Sequence, residues 1–122
     1  MGSNGEVDDG VIAVLTDALR VVRSDRQWIV QQRERKTWAS IAFCATREGL
    51  ILRIKDWLLK EHLSKLDYYQ VRKRKPRVSR EALEATEAAR ALLKRGDVAS
   101  FGVAPEAWAV IEALPDFYPK TA

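Results

Sequence analysis

The sequence predicts an α+β fold: a small three-stranded antiparallel meander packed on one long amphipathic helix, followed by two shorter C-terminal helices. Three observations carry this. Two β-rich runs, Trp28–Arg33 and Thr37–Ala45, flank the charged break Glu34-Arg35-Lys36. After Thr46 the apolar period changes from two to three and four. Beyond Ser79 the chain is rich in alanine and punctuated by Gly96, Pro105 and Pro115, which are helix stop and start signals.

Residues 1–10, MGSNGEVDDG, are polar and acidic, unlike a signal or transit peptide, and read as a flexible tail. The next segment, Val11–Val22, supports two readings. As a helix it aligns Val11, Val14, Leu15, Ala18 and Leu19; as strands it divides at Thr16-Asp17. The preferred reading is an extended stretch from Leu19 to Arg23, turned at Ser24-Asp25, whose side chains can bond their own backbone. Trp28, Ile29 and Val30 continue the sheet, because bulky and branched side chains suit a pleated surface. Glu34-Arg35-Lys36 interrupts it without the Asn-Gly or Asp-Gly of a tight two-residue turn.

In the following strand, alternation sets Ala39, Ile41, Phe43 and Ala45 against Trp38, Ser40, Ala42 and Cys44. The first set is assigned to the core. Thr46 is the expected N-cap of the long helix, with Glu48 near the positive end of its dipole. Leu50, Ile51, Ile54, Trp57 and Leu58 form its stripe, weakening at Glu61 before Leu63. Ile41, Phe43, Ile54 and Trp57 are therefore expected to be buried together.

The predicted organisation is one domain over 11–122: sheet and long helix over 11–70, a basic linker over 71–78, and a helical part over 79–122. Pro76 biases Lys75 away from helix. Ser79 caps the next helix, whose Ala82, Ala85, Ala89 and Leu92 share a side flanked by Leu83 and Leu93. Gly96 is placed as its C′ residue. Val98, Phe101 and Val103 are expected to tuck inward. Pro105 opens a last helix carrying Ala107, Trp108, Ile111 and Leu114. Phe117 and Tyr118 either dock on the body or await a partner.

The chemistry is narrowed mainly by what is missing. The chain of 122 residues has one cysteine and one histidine, too few for a structural zinc site. A single cysteine makes no internal disulfide, which fits a reducing cytoplasm. No apolar run approaches the roughly 20 residues that span a bilayer. Neither GxGxxG nor GxxxxGK[ST] occurs. A Cys44–His62 nucleophile pair lacks a recognisable orienting partner. Glu81, Glu84 and Glu87 read as a solvated helix face. No catalytic residue, metal or cofactor is expected.

The basic segments are the strongest functional signal in a chain of net charge +4. Arg72, Lys73, Arg74, Lys75, Arg77 and Arg80 form the densest run, and Arg33, Arg35 and Lys36 mark the hairpin break. Arg20, Arg23 and Arg26 extend that second set along the meander. Such cations neutralise phosphates and release counterions, although the same runs also serve as solubilising linkers and charged sheet faces. Trp28 and Trp38 are either base-stacking rings or ordinary strand residues.

The order meander then helix, over Leu19–Leu63, resembles in outline the plant ethylene-response-type and integrase arm-binding DNA modules. The resemblance implies a sheet that enters the major groove with the helix bracing it from behind. The plant domains' glycine and aromatic signatures are absent. The compact, motif-poor chain also resembles small phage and mobile-element proteins, including inhibitors of host defence. The expected function is a non-enzymatic nucleic-acid-binding accessory protein of bacterial or phage type. The alternative is a protein-binding module or inhibitor that meets an acidic partner surface. Convergence of the two basic sets on one face would favour the first.

Overall fold

The computed structural model describes residues 10–65 and 80–117. The tail over 1–9, the basic linker over 71–78, the Ser79 cap and Tyr118 lie outside the described residues. Among the described residues the fold is α+β, with an antiparallel sheet, one long helix and two shorter helices after it. The sheet has four strands, not three: β1 (Val11–Thr16), β2 (Leu19–Ser24), β3 (Gln27–Glu34) and β4 (Thr37–Cys44), in spatial order β1-β2-β3-β4.

The extra strand comes from Val11–Thr16, the segment with two readings. Its Val11, Ile12 and Val14 are β-branched, and Thr16 closes the hairpin by accepting a hydrogen bond from the Ala18 N–H at 3.1 Å. This hydroxyl turn sets Thr16 opposite Leu19, and β1 then pairs along the free edge of β2. All three connections are two-residue turns, since Thr16 pairs with Leu19, Ser24 with Gln27 and Glu34 with Thr37. The last two turns succeed without glycine by holding Asp25 at φ 54° and Arg35 at φ 61°. For arginine that left-handed conformation is strained by roughly 1–2 kcal/mol.

The face assigned to β4 needs correction. Val30 pairs with Ala42 but Gln31 pairs with Ser40, so Ile41 is the extra residue of a β-bulge. One added residue reverses the alternation on either side of it. Ala42 and Cys44 therefore point inward beside Val30 and Trp28, whereas Phe43 is 59 % exposed and Ile41 42 % exposed. Ile54 is fully buried and Trp57 packs partly buried against the core, but Ile41 and Phe43 do not join them. Ala39 keeps its predicted side, opposite Gln32, whose side-chain oxygen accepts the Trp57 indole N–H at 2.7 Å.

Helix α1 (Arg47–Ser64) begins at Thr46, whose hydroxyl accepts from the Gly49 N–H at 3.0 Å, as a capping residue does. Leu50, Ile54 and Leu58 recur every fourth residue and are buried, joined by Leu59 and Leu63. They meet Leu15, Leu19, Val21, Trp28 and Val30 in one core cluster. Burying each such side chain contributes roughly 1.5–3 kcal/mol.

Helix α2 (Arg80–Lys94) packs on α1. Among its described side chains Ala89 and Leu93 are buried, Ala85 and Leu92 half-buried and Leu83 exposed, while the Ala82 side chain lies outside the described set. Gly96 at φ 84° ends the helix; its N–H bonds the Leu93 carbonyl while the Asp97 N–H bonds that of Leu92, a Schellman closure. After a 3₁₀ turn at Ala99–Phe101, α3 (Pro105–Glu112) buries Trp108 and Ile111 and contacts β1. Val98 and Val103 are buried and Phe101 packs against the core, as the sequence predicts.

The end of the described chain straps the start of α1. Asp116 accepts the Arg47 N–H at 2.7 Å, supplying a carboxylate where the helix dipole is positive. Phe117 docks: its N–H bonds the Ala45 carbonyl, and its ring lies 4.4 Å from that of Trp28. The Trp28 indole in turn donates to the Pro115 carbonyl at 3.1 Å.

Candidate functional site

All the described helices contribute to the cluster on one side of the sheet, which leaves the opposite, outer face to be read strand by strand. Register places Val11, Val22, Ile29 and Phe43 side by side in one row across the four strands. The next row is Val14, Arg20, Gln31 and Ser40, and beyond it Arg33 pairs with Trp38. Val22 and Ile29 are buried, yet they stand outside the main core cluster, as their outward position requires.

The middle row is a polar ladder. Arg20 is only 7 % exposed and Gln31 5 %. The Arg20 Nε–H donates to Gln31 Oε1 at 2.8 Å, and Gln31 Nε2 donates to Ser40 Oγ at 3.2 Å. The Arg20 guanidinium lies 4.2 Å from the centre of the Trp38 ring, close enough for a cation–π contact. Arg33 approaches the same ring at 5.9 Å. One half-buried indole thus gathers two arginines from different strands, which only the folded register could align.

The adjoining β3–β4 turn adds Arg35 and Lys36, both exposed. Arg33 is held there by a hydrogen bond from its Nε–H to the Arg35 carbonyl at 3.2 Å. Arg33, Arg35 and Lys36 are consequently brought together beside Trp38 and Arg20. The remaining sheet arginines are not. Arg26 occupies the turn at the other end of the sheet, and Arg23 lies on the inner side, 5.1 Å from the Phe117 ring. Arg80 opens α2, on the helix side, while Arg72, Lys73, Arg74, Lys75 and Arg77 lie outside the described residues.

Trp28 is withdrawn from any surface role by its burial and its contacts with Pro115 and Phe117. Phe43 takes its place as the exposed ring of the outer face. No sequence signal marks it, because its exposure depends on the bulge at Ile41. The Arg20–Gln31–Ser40 ladder is equally invisible in sequence, since its members are 11 and 9 residues apart.

Cys44 is buried at the end of β4, and burial pushes its thiol up, with the Arg53 charge acting the other way. Neutralising it as a thiol makes it a poor nucleophile. His62 lies near the far end of α1, about 20 Å along the helix from Cys44 at the usual rise per residue. There it meets Phe101 edge-on at 5.3 Å, in a cleft of about 630 Å³ that also contains Asp17, Glu61 and Lys65. Among the described residues no three His, Cys, Asp or Glu side chains are grouped to hold a metal ion. Among them, too, no helix is long and apolar enough to cross a membrane. The four-stranded sheet departs from the three-stranded plan of the plant and integrase modules. No family model, curated protein or solved structure matches this chain.

Proposed function

We propose that this is a non-enzymatic nucleic-acid-binding accessory protein, of bacterial or phage type, that holds phosphates through its basic segments. The observation that supports it is the meeting of Arg33, Arg35 and Lys36 beside the Arg20–Trp38 pair. Exposed cations at a hairpin tip can reach a phosphate backbone without disturbing the core. The run Arg72, Lys73, Arg74, Lys75, Arg77 and Arg80 adds further positive charge to the same reading. A reducing cytoplasm is its setting, in keeping with a lone buried thiol.

The test is an electrophoretic mobility shift on random-sequence nucleic acid over a salt series. Affinity should fall steeply as salt rises, with a log–log slope of about −0.9 per phosphate neutralised on duplex DNA. Arg35→Ala with Lys36→Ala, and separately Arg72→Ala with Arg74→Ala and Arg77→Ala, should each flatten that slope. A protein that binds nothing at low salt would remove this reading.

A second reading, a protein-binding module or inhibitor, draws on the exposed Val14, Ile41 and Phe43. Its basic corner would then meet an acidic protein, where charge chiefly sets association rate and specificity.

A further inference from the structure

We propose that the outer face of the sheet takes single-stranded nucleic acid, with unpaired bases stacked on the rings of Trp38 and Phe43. This rests on the nucleic-acid reading and names the form of the partner. Phosphates alone would need only the hairpin cations, and they leave the 59 % exposed Phe43 ring without a use. Phe43 ends the row Val11, Val22, Ile29 and Phe43, in which Val22 and Ile29 are buried and the Phe43 ring is the most exposed member. The Trp38 ring, backed by Arg20 at 4.2 Å, stands at the cationic end of the same strand. Five residues of β4, one of them taken up by the bulge, put the two positions roughly 13 Å apart along the strand. A short run of nucleotides bridges that gap.

Duplex is the poorer fit. Its base faces are stacked inside the helix and only base edges face the grooves, where they are read by hydrogen bonds. The groups of this face best suited to such reading already bond one another: Arg20 to Gln31, and Gln31 to Ser40. What remains are two rings and a cationic hairpin, the pairing of stacking platform and charge that suits single strands with little sequence preference.

The experiment is fluorescence anisotropy of the full chain with labelled twelve-nucleotide dT, twelve-nucleotide rU and a twelve-base-pair duplex at low salt. Single strands of at least one sugar type should bind at least tenfold more tightly than the duplex, and the two single-stranded arms distinguish DNA from RNA. Phe43→Ala should weaken single-strand binding by about 5- to 150-fold, the range for the loss of one stacked base. Trp38→Ala should do the same and Trp38→Phe should restore much of it, which separates lost stacking from a disturbed hairpin. Lys60→Ala, on the helix side, serves as the unchanged control. Duplex bound as tightly as single strands, with Phe43→Ala without effect, overturns the inference while the nucleic-acid reading stands. No binding by any of the three probes overturns both and leaves a protein partner for this face.

Discussion

The two faces of one sheet solve the same problem differently. On the inner face Leu19, Val21, Trp28, Val30 and Cys44 disappear into a cluster completed by α1, α2 and α3. On the outer face Arg20 and Gln31 are buried almost as completely, but as members of a hydrogen-bonded ladder beside an indole. The inner face is apolar contact and stabilises the fold. The outer face combines a satisfied polar row, an apolar row ending in an exposed ring, and a strained cationic turn. Departures from local rules are most informative where they cluster, and here the exposed Phe43 and the left-handed Arg35 share a hairpin.

The largest expected effect tests whether the faces are correctly assigned. Ile54→Ala empties a fully buried site between helix and sheet and should destabilise by about 2–5 kcal/mol. Phe43→Ala should change stability by roughly 0.5 kcal/mol or less, as an exposed substitution does. Urea denaturation of the two variants measures the contrast directly. Similar midpoints for both would mean that the bulge at Ile41 is misplaced and that Phe43 belongs to the core.

The ladder gives the next effect. Gln31→Leu leaves the buried Arg20 Nε–H without its partner and should destabilise by about 1–3 kcal/mol. In the Arg20→Met, Gln31→Leu double mutant the loss should be smaller than the sum of the two single losses, because the two side chains share one hydrogen bond. Additive losses in the double-mutant cycle would show that the two side chains do not act as a pair.

The inner face was largely legible in the sequence, and the outer face was not. Thr46 as N-cap, Gly96 as helix stop, Pro105 as helix start and the Leu50–Ile54–Leu58 stripe are local signals, each decided within about one helical turn. The strand Val11–Thr16 was half legible: its β-branched residues fit either a strand or a helix, and the deciding Thr16 hydroxyl bond is a matter of turn geometry. The side taken by Phe43 depends on a single added residue that alternation cannot reveal. The grouping of Arg20 and Arg33 on Trp38 needs three strands in register, so no window of sequence contains it. The wider basic set shows the same limit: Arg23 and Arg33 look alike in sequence and end on opposite faces.

A milder effect is expected from the bulge itself. Deleting Ile41 removes the residue without a cross-strand partner and lets Ser40 and Ala42 alternate regularly. The variant should fold, with a smaller loss of Tm than Ile54→Ala. Deleting Val30 from the paired β3 should unfold the protein, because it slips every later residue of that strand to the wrong face. Circular dichroism melts of both deletions compare them. Failure of the Ile41 deletion to fold would show that the bend it imposes on β4 is required by the core.

The smallest effect has two opposite signs in one substitution. Arg35 holds φ 61°, a conformation glycine adopts freely, so Arg35→Gly relieves strain in the β3–β4 turn. Part of that gain is offset by the greater entropy of glycine in the unfolded chain, leaving a stabilisation of about 0.5–1 kcal/mol. The same change removes one cation from the corner beside Trp38. If that cation contacts phosphate, the log–log salt slope on single-stranded nucleic acid should flatten by about 0.7. Thermal melts and a salt series on one variant therefore separate the demands of folding from those of binding. A variant more stable than the parent, with an unchanged slope, would confine Arg35 to the turn and shift the phosphate-binding role to Arg33 and Lys36.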